Sequence, residues 1–143
     1  MFPVERLAQM GGERTVAGWR EVIVTPSKRT HTLVATRNRE VLGFAHLGGA
    51  RDEPETVGEL YAIYVHPDVW GHGVGRALMA ESLDRFHEEG FTEAILWVLE
   101  DNPRTRTFYE LAGWHADGAF KDEEWLDTLV REVRYRITLG PTT

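Results

Sequence analysis

The sequence predicts an α/β domain built on a mixed, mostly antiparallel sheet flanked by helices. Three observations carry that prediction. Glu59 to Val65 alternates and is rich in aromatic and β-branched residues, and it runs through a glycine cluster into an amphipathic helical pattern. Residues 94 to 99, Ala-Ile-Leu-Trp-Val-Leu, form an apolar run with the length of a buried strand. Two strand-like stretches lie before these and two more after them, from Trp114 to Phe120 and from Arg131 to Leu139, the last of which alternates.

In chain order, residues 3 to 24 read as one broken helix or two short ones. Val4, Leu7 and Ala8, then Val16, Trp19 and Ile23, fall on apolar faces separated at Gly11-Gly12, and Pro26-Ser27 opens a loop. His31 to Thr36 and Val41 to Leu47 form a hairpin around the polar turn Arg37-Asn-Arg-Glu40. Gly48 to Val57 is a hydrophilic loop, of the kind that carries substrate contacts in some proteins and is plainly solvated in most. The strand from Glu59 stops at Pro67, whose ring has no N–H for a sheet ladder. Val74, Ala77, Leu78, Leu83 and Phe86 then recur at helical spacing as far as Gly90, a natural C-terminal cap. A second helix starts with Asn102 as cap and Pro103 at its first position, and ends at Gly113. Trp114 to Phe120 starts another strand, and Lys121 to Leu129 reads as an acidic, partly helical connector.

Composition narrows the function. A chain of 143 residues with 42% hydrophobic content and no low-complexity tract supports one domain with its own core. Sixteen basic residues against 23 acidic ones give a formal charge of −7, which argues against nucleic acid or an anionic membrane as partner and favours cationic substrates such as amines. The chain holds no cysteine, so disulfides, thiolate metal sites and a cysteine nucleophile are excluded. His31, His46, His87 and His115 are scattered without metal-ligand spacing, and no metal is expected. With no long apolar stretch and no signal-peptide pattern at Met1 to Gly11, the expected location is cytoplasmic.

The chemistry centres on Gly71, Gly73 and Gly75. Glycine lets backbone come close to a ligand, and the first amides of a helix have no partner inside it, so a strand, a glycine turn and a helix N-terminus together suit an anion. Arg76 adds a cation. Gly-x-Gly-x-Gly also occurs in ordinary turns, and here it matches neither the P-loop, since no Gly-Lys-Ser/Thr follows, nor the dinucleotide fingerprint.

Together with the segment Asn102-Pro-Arg-Thr-Arg-Thr-Phe-Tyr-Glu-Leu-Ala-Gly-Trp114, this stretch resembles the GNAT N-acetyltransferase superfamily. The family pattern Arg/Gln-x-x-Gly-x-Gly/Ala is matched at Trp70, Gly73 and Gly75. The pattern Asn-x-x-Ala-x-x-Phe-Tyr-x-x-x-Gly-Phe is matched at Asn102, Thr105, Phe108, Tyr109, Gly113 and Trp114. Trp70, Thr105 and Trp114 depart from the usual residues, and the likeness covers roughly residues 30 to 138. The resemblance implies a GNAT fold and a transfer of acetyl from acetyl-CoA to an amine. It implies that Ile63, Tyr64 and Val65 pair by their backbone with the pantetheine arm. Gly71, His72, Gly73, Val74, Gly75 and Arg76 would then surround the pyrophosphate, with Asn102, Phe108 and Tyr109 completing the cofactor site. Tyr109 is the implied general acid, suited by a phenol that stays protonated at neutral pH.

Strand alternation places Glu59 on one face with Tyr61, Ile63 and Val65, where the family often keeps a base acting through water. A glutamate opening a strand after a polar loop is also an ordinary solvated residue. His66 and His72 flank the loop, solvated or set by CoA phosphates. The usual first strand of the family is absent from this reading, which means a late start, a fold without that edge, or an edge supplied by a second copy. An uncovered edge invites pairing and points to a homodimer. The expected acceptor is a small-molecule amine; the alternative is a non-catalytic acyl-CoA-binding sensor with the same fold.

Overall fold

A computed structural model describes residues 4–7, 18–21 and 29–140, the first two stretches as backbone alone. Among the described residues, eight strands form one sheet: β1 (Val4–Leu7), β2 (Gly18–Glu21), β3 (His31–Arg37), β4 (Glu40–Gly49), β5 (Val57–Val65), β6 (Glu93–Leu99), β7 (His115–Trp125) and β8 (Thr128–Thr138). Their order is β1-β2-β3-β4-β5-β6-β8-β7, and every neighbouring pair is antiparallel except β5 and β6. That parallel pair is joined through helix α1 (Val74–Glu88), while α2 (Pro103–Leu111) lies between β6 and β7.

Both helices cover the same face of the sheet. Leu33 and Ala35 of β3, Ala45 and Leu47 of β4, Leu60 of β5, Ala94, Leu96 and Val98 of β6, and Tyr135 of β8 form one buried cluster with Val74, Ala77, Leu78 and Phe86 of α1 and Tyr109 of α2. Trp114 closes the gap between the helices, its indole N–H donating to the Met79 sulfur at 3.3 Å.

Several elements agree with the sequence reading. The turn between β3 and β4 holds Asn38 and Arg39 at positive φ, as a two-residue hairpin loop needs. Asn102 caps α2, its side-chain oxygen accepting from the Thr105 amide at 3.3 Å.

Three expectations are corrected. Residues 4–7 and 18–21 are strands, paired with each other and, through β2, with β3. Helices this short are marginal in isolation, whereas the open edge of β3 offers a ready row of donors and acceptors. The rest of residues 3 to 24 and the Pro26-Ser27 loop lie outside the described residues. An edge strand is thus present after all, so no missing strand is left for a second copy to supply. Second, Lys121 to Leu129 is no helical connector. It belongs to the β7–β8 hairpin, which turns on Leu126 and Asp127, both at positive φ, and cross-strand pairs such as Asp122–Arg131 (Nε to Oδ1, 2.8 Å) stabilise it in place of helical contacts. Third, Glu59 does not share a face with Ile63 and Val65. The β4–β5 register steps from Leu47↔Leu60 to His46↔Ala62, leaving Tyr61 as an extra residue. That bulge reverses the alternation, so Ile63 and Val65 join Leu60 on the helix side while Glu59 and Tyr61 lie on the other.

Candidate active site

The site is a gap in the sheet. Strands β5 and β6 pair only from Val57↔Glu93 to Glu59↔Ile95, and beyond that point they separate. The His66 amide donates to the Leu42 carbonyl at 2.8 Å, so by ladder alternation Tyr64 also turns its backbone towards β4. Ile63 and Val65 therefore point their N–H and C=O groups into the gap. Tyr64 offers its side chain alone, an exposed ring 5.8 Å from that of Phe44 on the face away from the helices.

The glycine loop closes one end of the gap. After the 3-10 turn Pro67–Val69, the Trp70 amide donates to the Pro67 carbonyl and the His72 amide to the Val69 carbonyl, so neither is left for a ligand. The first α-helical bond runs from the Ala77 amide to the Gly73 carbonyl at 3.0 Å. The preceding amides of Gly73, Val74, Gly75 and Arg76 thus have no helical carbonyl to reach. Gly73 adopts φ +88°, a left-handed conformation that a side chain would strain. At Gly75 the reason is space: a Cβ would lie 3.2 Å from the Phe108 ring and 3.5 Å from Val65 Cγ2. The start of α1, α2 and the end of β5 therefore meet at this one position. Arg76 is exposed beside the loop.

On the helix side, Tyr109 is 7% exposed, with its ring against Phe108, Trp114 and Tyr135 at centroid distances of 5.5, 6.3 and 6.3 Å. Burial pushes its phenol up to about 12. It stays protonated throughout the neutral range. Asn102 has its oxygen committed to the helix cap, which leaves its amide group for other work.

On the opposite face Glu59 is half-buried. Burial raises its carboxyl above the ordinary value, and Lys121 and Arg51 pull partly against that rise. Tyr61, also raised by burial and by Glu59, donates its hydroxyl to the Gly49 carbonyl. Residues 50–56 approach this face through Glu53, which accepts from Arg134 at 3.3 Å and from Arg136 at 3.4 Å. The Lys121 ammonium lies 4.4 Å from the Trp97 ring centroid. No spacing marks Lys121 or Arg51 as neighbours of Glu59, because strand alternation says nothing about cross-sheet partners. Among the described residues no three His, Asp or Glu side chains gather as a metal site, and no helix is long and apolar enough to cross a membrane.

The family model described as "Acetyltransferase (GNAT) family" matches residues 6–114. A mycothiol acetyltransferase of Kocuria rhizophila is 38% identical over 76 residues, which is 51% of this chain and 25% of that protein. An uncharacterized N-acetyltransferase of Bacillus subtilis is 44% identical over 64 residues, 44% of this chain and 37% of that protein. The matches thus take in well under half of either relative's length. Among solved structures, the ribosomal-protein-S18-alanine N-acetyltransferase of Escherichia coli superposes with a TM-score of 0.68 at 20% identity, covering 82% of this chain and 74% of that one. The yncA protein of Salmonella typhimurium, solved with its cofactor acetyl-CoA, gives a TM-score of 0.68 at 21% identity, covering 78% and 65%.

Proposed function

This chain belongs to the acetyltransferase (GNAT) family, and we propose that it moves an acetyl group from acetyl-CoA to a primary amine by direct attack. The observation that carries this reading is the parting of β5 from β6 beyond Glu59 and Ile95, next to a loop of uncommitted amides. An extended pantetheine arm fits such a gap, because Ile63 presents its N–H and C=O and Val65 its N–H to it, the Val65 carbonyl being held by the Trp70 indole. A pyrophosphate fits the amides of Gly73 to Arg76, with the positive end of the α1 dipole behind them.

The bound co-substrate supplies an acetyl thioester, from which an amine takes the acetyl group as the thiolate departs. The rest falls to the chain's own residues. The Val65 amide, facing the gap, polarises the carbonyl. Tyr109 delivers a proton to the leaving sulfur from the helix side. Glu59 accepts the amine proton through water from the opposite face, and its raised pKa makes it a stronger base than an exposed carboxylate. Acid and base thus approach the gap from two sides, and the amine enters on the Glu59 side. Asn102 steadies the pantetheine with its free amide group.

Relatives named as mycothiol acetyltransferases favour a small-molecule acceptor over a protein. The net charge of −7 favours a cationic one, and a cytoplasmic location agrees with that role. The test is thiol release from acetyl-CoA against a panel of small amines, with Glu59→Gln alongside. Release by the native protein, with a rate at least about tenfold lower in the variant, supports the reading. Acetyl-CoA binding with no release from any amine would favour a non-catalytic sensor instead.

A further inference from the structure

We propose that Arg104, set over the Trp70 ring, is a phosphate-binding residue of the acetyl-CoA site, an inference that rests on the reading above. Trp70 occupies the loop three residues before Gly73, and its indole N–H donates to the Val65 carbonyl at 2.8 Å. Val65 is the last residue of β5, and that carbonyl points into the gap between β5 and β6. The ring is therefore tied to the end of the strand that forms the site. Over it sits the Arg104 guanidinium, its Cζ 4.0 Å from the ring centroid.

Stacking occupies the flat face of a guanidinium and leaves the N–H groups along its edge free to bind. Those groups form a rigid fork that suits a phosphate. Among the described residues the structure gives Arg104 no carboxylate partner, whereas Arg131, Arg134 and Arg136 are all engaged with acids. The placement also works against helix electrostatics. Arg104 sits in the first turn of α2, which contains no acidic residue, and a cation there opposes the helix dipole. An anion between Arg104 and the Gly73 to Arg76 amides relieves that conflict. The indole thus carries a charge to the loop from a different helix, although Trp70 itself has none.

CoA offers two sources of such an anion, the pyrophosphate and the ribose 3′-phosphate. The test is calorimetric titration of the native protein, Arg104→Gln and Trp70→Leu with CoA, 3′-dephospho-CoA and pantetheine, at two salt concentrations. Both variants should bind CoA about tenfold more weakly, with pantetheine affinity unchanged, and Arg104→Gln should flatten the salt dependence of Kd. A structural role alone would not move that salt slope. If the loss persists with dephospho-CoA the contact is the pyrophosphate; if it vanishes, the 3′-phosphate. CoA affinity within twofold of native in Arg104→Gln, with native binding intact, overturns this inference alone. Failure of the native protein to bind CoA overturns the acetyl-CoA reading and this inference with it.

Discussion

Replacing Tyr109 with Phe separates chemistry from packing more cleanly than any other change at this site. The residue is 7% exposed with its ring against three other aromatic rings, and burial alone accounts for its pKa of about 12. Two units above an ordinary phenol correspond to about 2.7 kcal/mol against the phenolate. At pH 9 an ordinary phenol is about 10% ionised, whereas one with a pKa near 12 is about 0.1% ionised. Two consequences follow for Tyr109→Phe. The fold should lose under about 1 kcal/mol, since the ring keeps its contacts and the hydroxyl takes no hydrogen bond within the described structure. The chemical step should slow by about 10²-fold or more, again about 2.7 kcal/mol, with acetyl-CoA affinity retained. The assay is thiol release from acetyl-CoA from pH 6 to 10.5, with the acceptor saturating. The native rate should rise as the amine deprotonates and then stay level, because the proton on Tyr109 is not lost in that window. A variant with an unaltered kcat would remove Tyr109 from the mechanism.

Gly73→Glu should abolish CoA binding, since it forces a side chain into φ +88° and sets a carboxylate among the amides proposed to hold phosphate; calorimetry reads it directly. Lys121→Gln removes a cation that lowers the Glu59 pKa, so the acid limb of kcat/KM should move to higher pH, and a stationary or downward-moving limb would exclude Glu59 as the base. Leu126→Asn with Asp127→Gly places turn-forming residues at the two positive-φ positions of the β7–β8 hairpin and should raise stability by about 1 kcal/mol, as read by denaturant titration. Asn102→Ala should cost about 1 kcal/mol through the lost cap, seen as a lower melting temperature.

The parts of the fold legible in the sequence were those written in local chemistry. Pro67, Pro103, Gly90 and Gly113 punctuate the chain where the structure turns, and the periodicity from Val74 to Phe86 marks the buried side of α1. What escaped was decided by pairing across the sheet. The bulge at Tyr61 has no residue signature, yet it moves Glu59 to the face away from Tyr109 and so changes how the proposed acid and base can cooperate. The acidic run Asp122-Glu-Glu124 looked unsuited to a strand until Arg131 and Lys121 were set beside it. At residues 4–7 and 18–21 a weak helical period gave way to a free sheet edge. The Trp70–Arg104 stack joins residues 34 positions apart, and no spacing rule connects them.

The most direct test of the account is a thermal-shift titration of the native protein with acetyl-CoA. A ligand held only by the folded state adds about 2.7 kcal/mol at 100 times its Kd, enough for a melting shift of several degrees in a chain of this size. The account predicts that shift, equally large with CoA and much smaller with pantetheine, because the phosphates meet the Gly73 to Arg76 amides. An unchanged melting temperature at millimolar acetyl-CoA would contradict the assignment of the gap between β5 and β6 as a cofactor site.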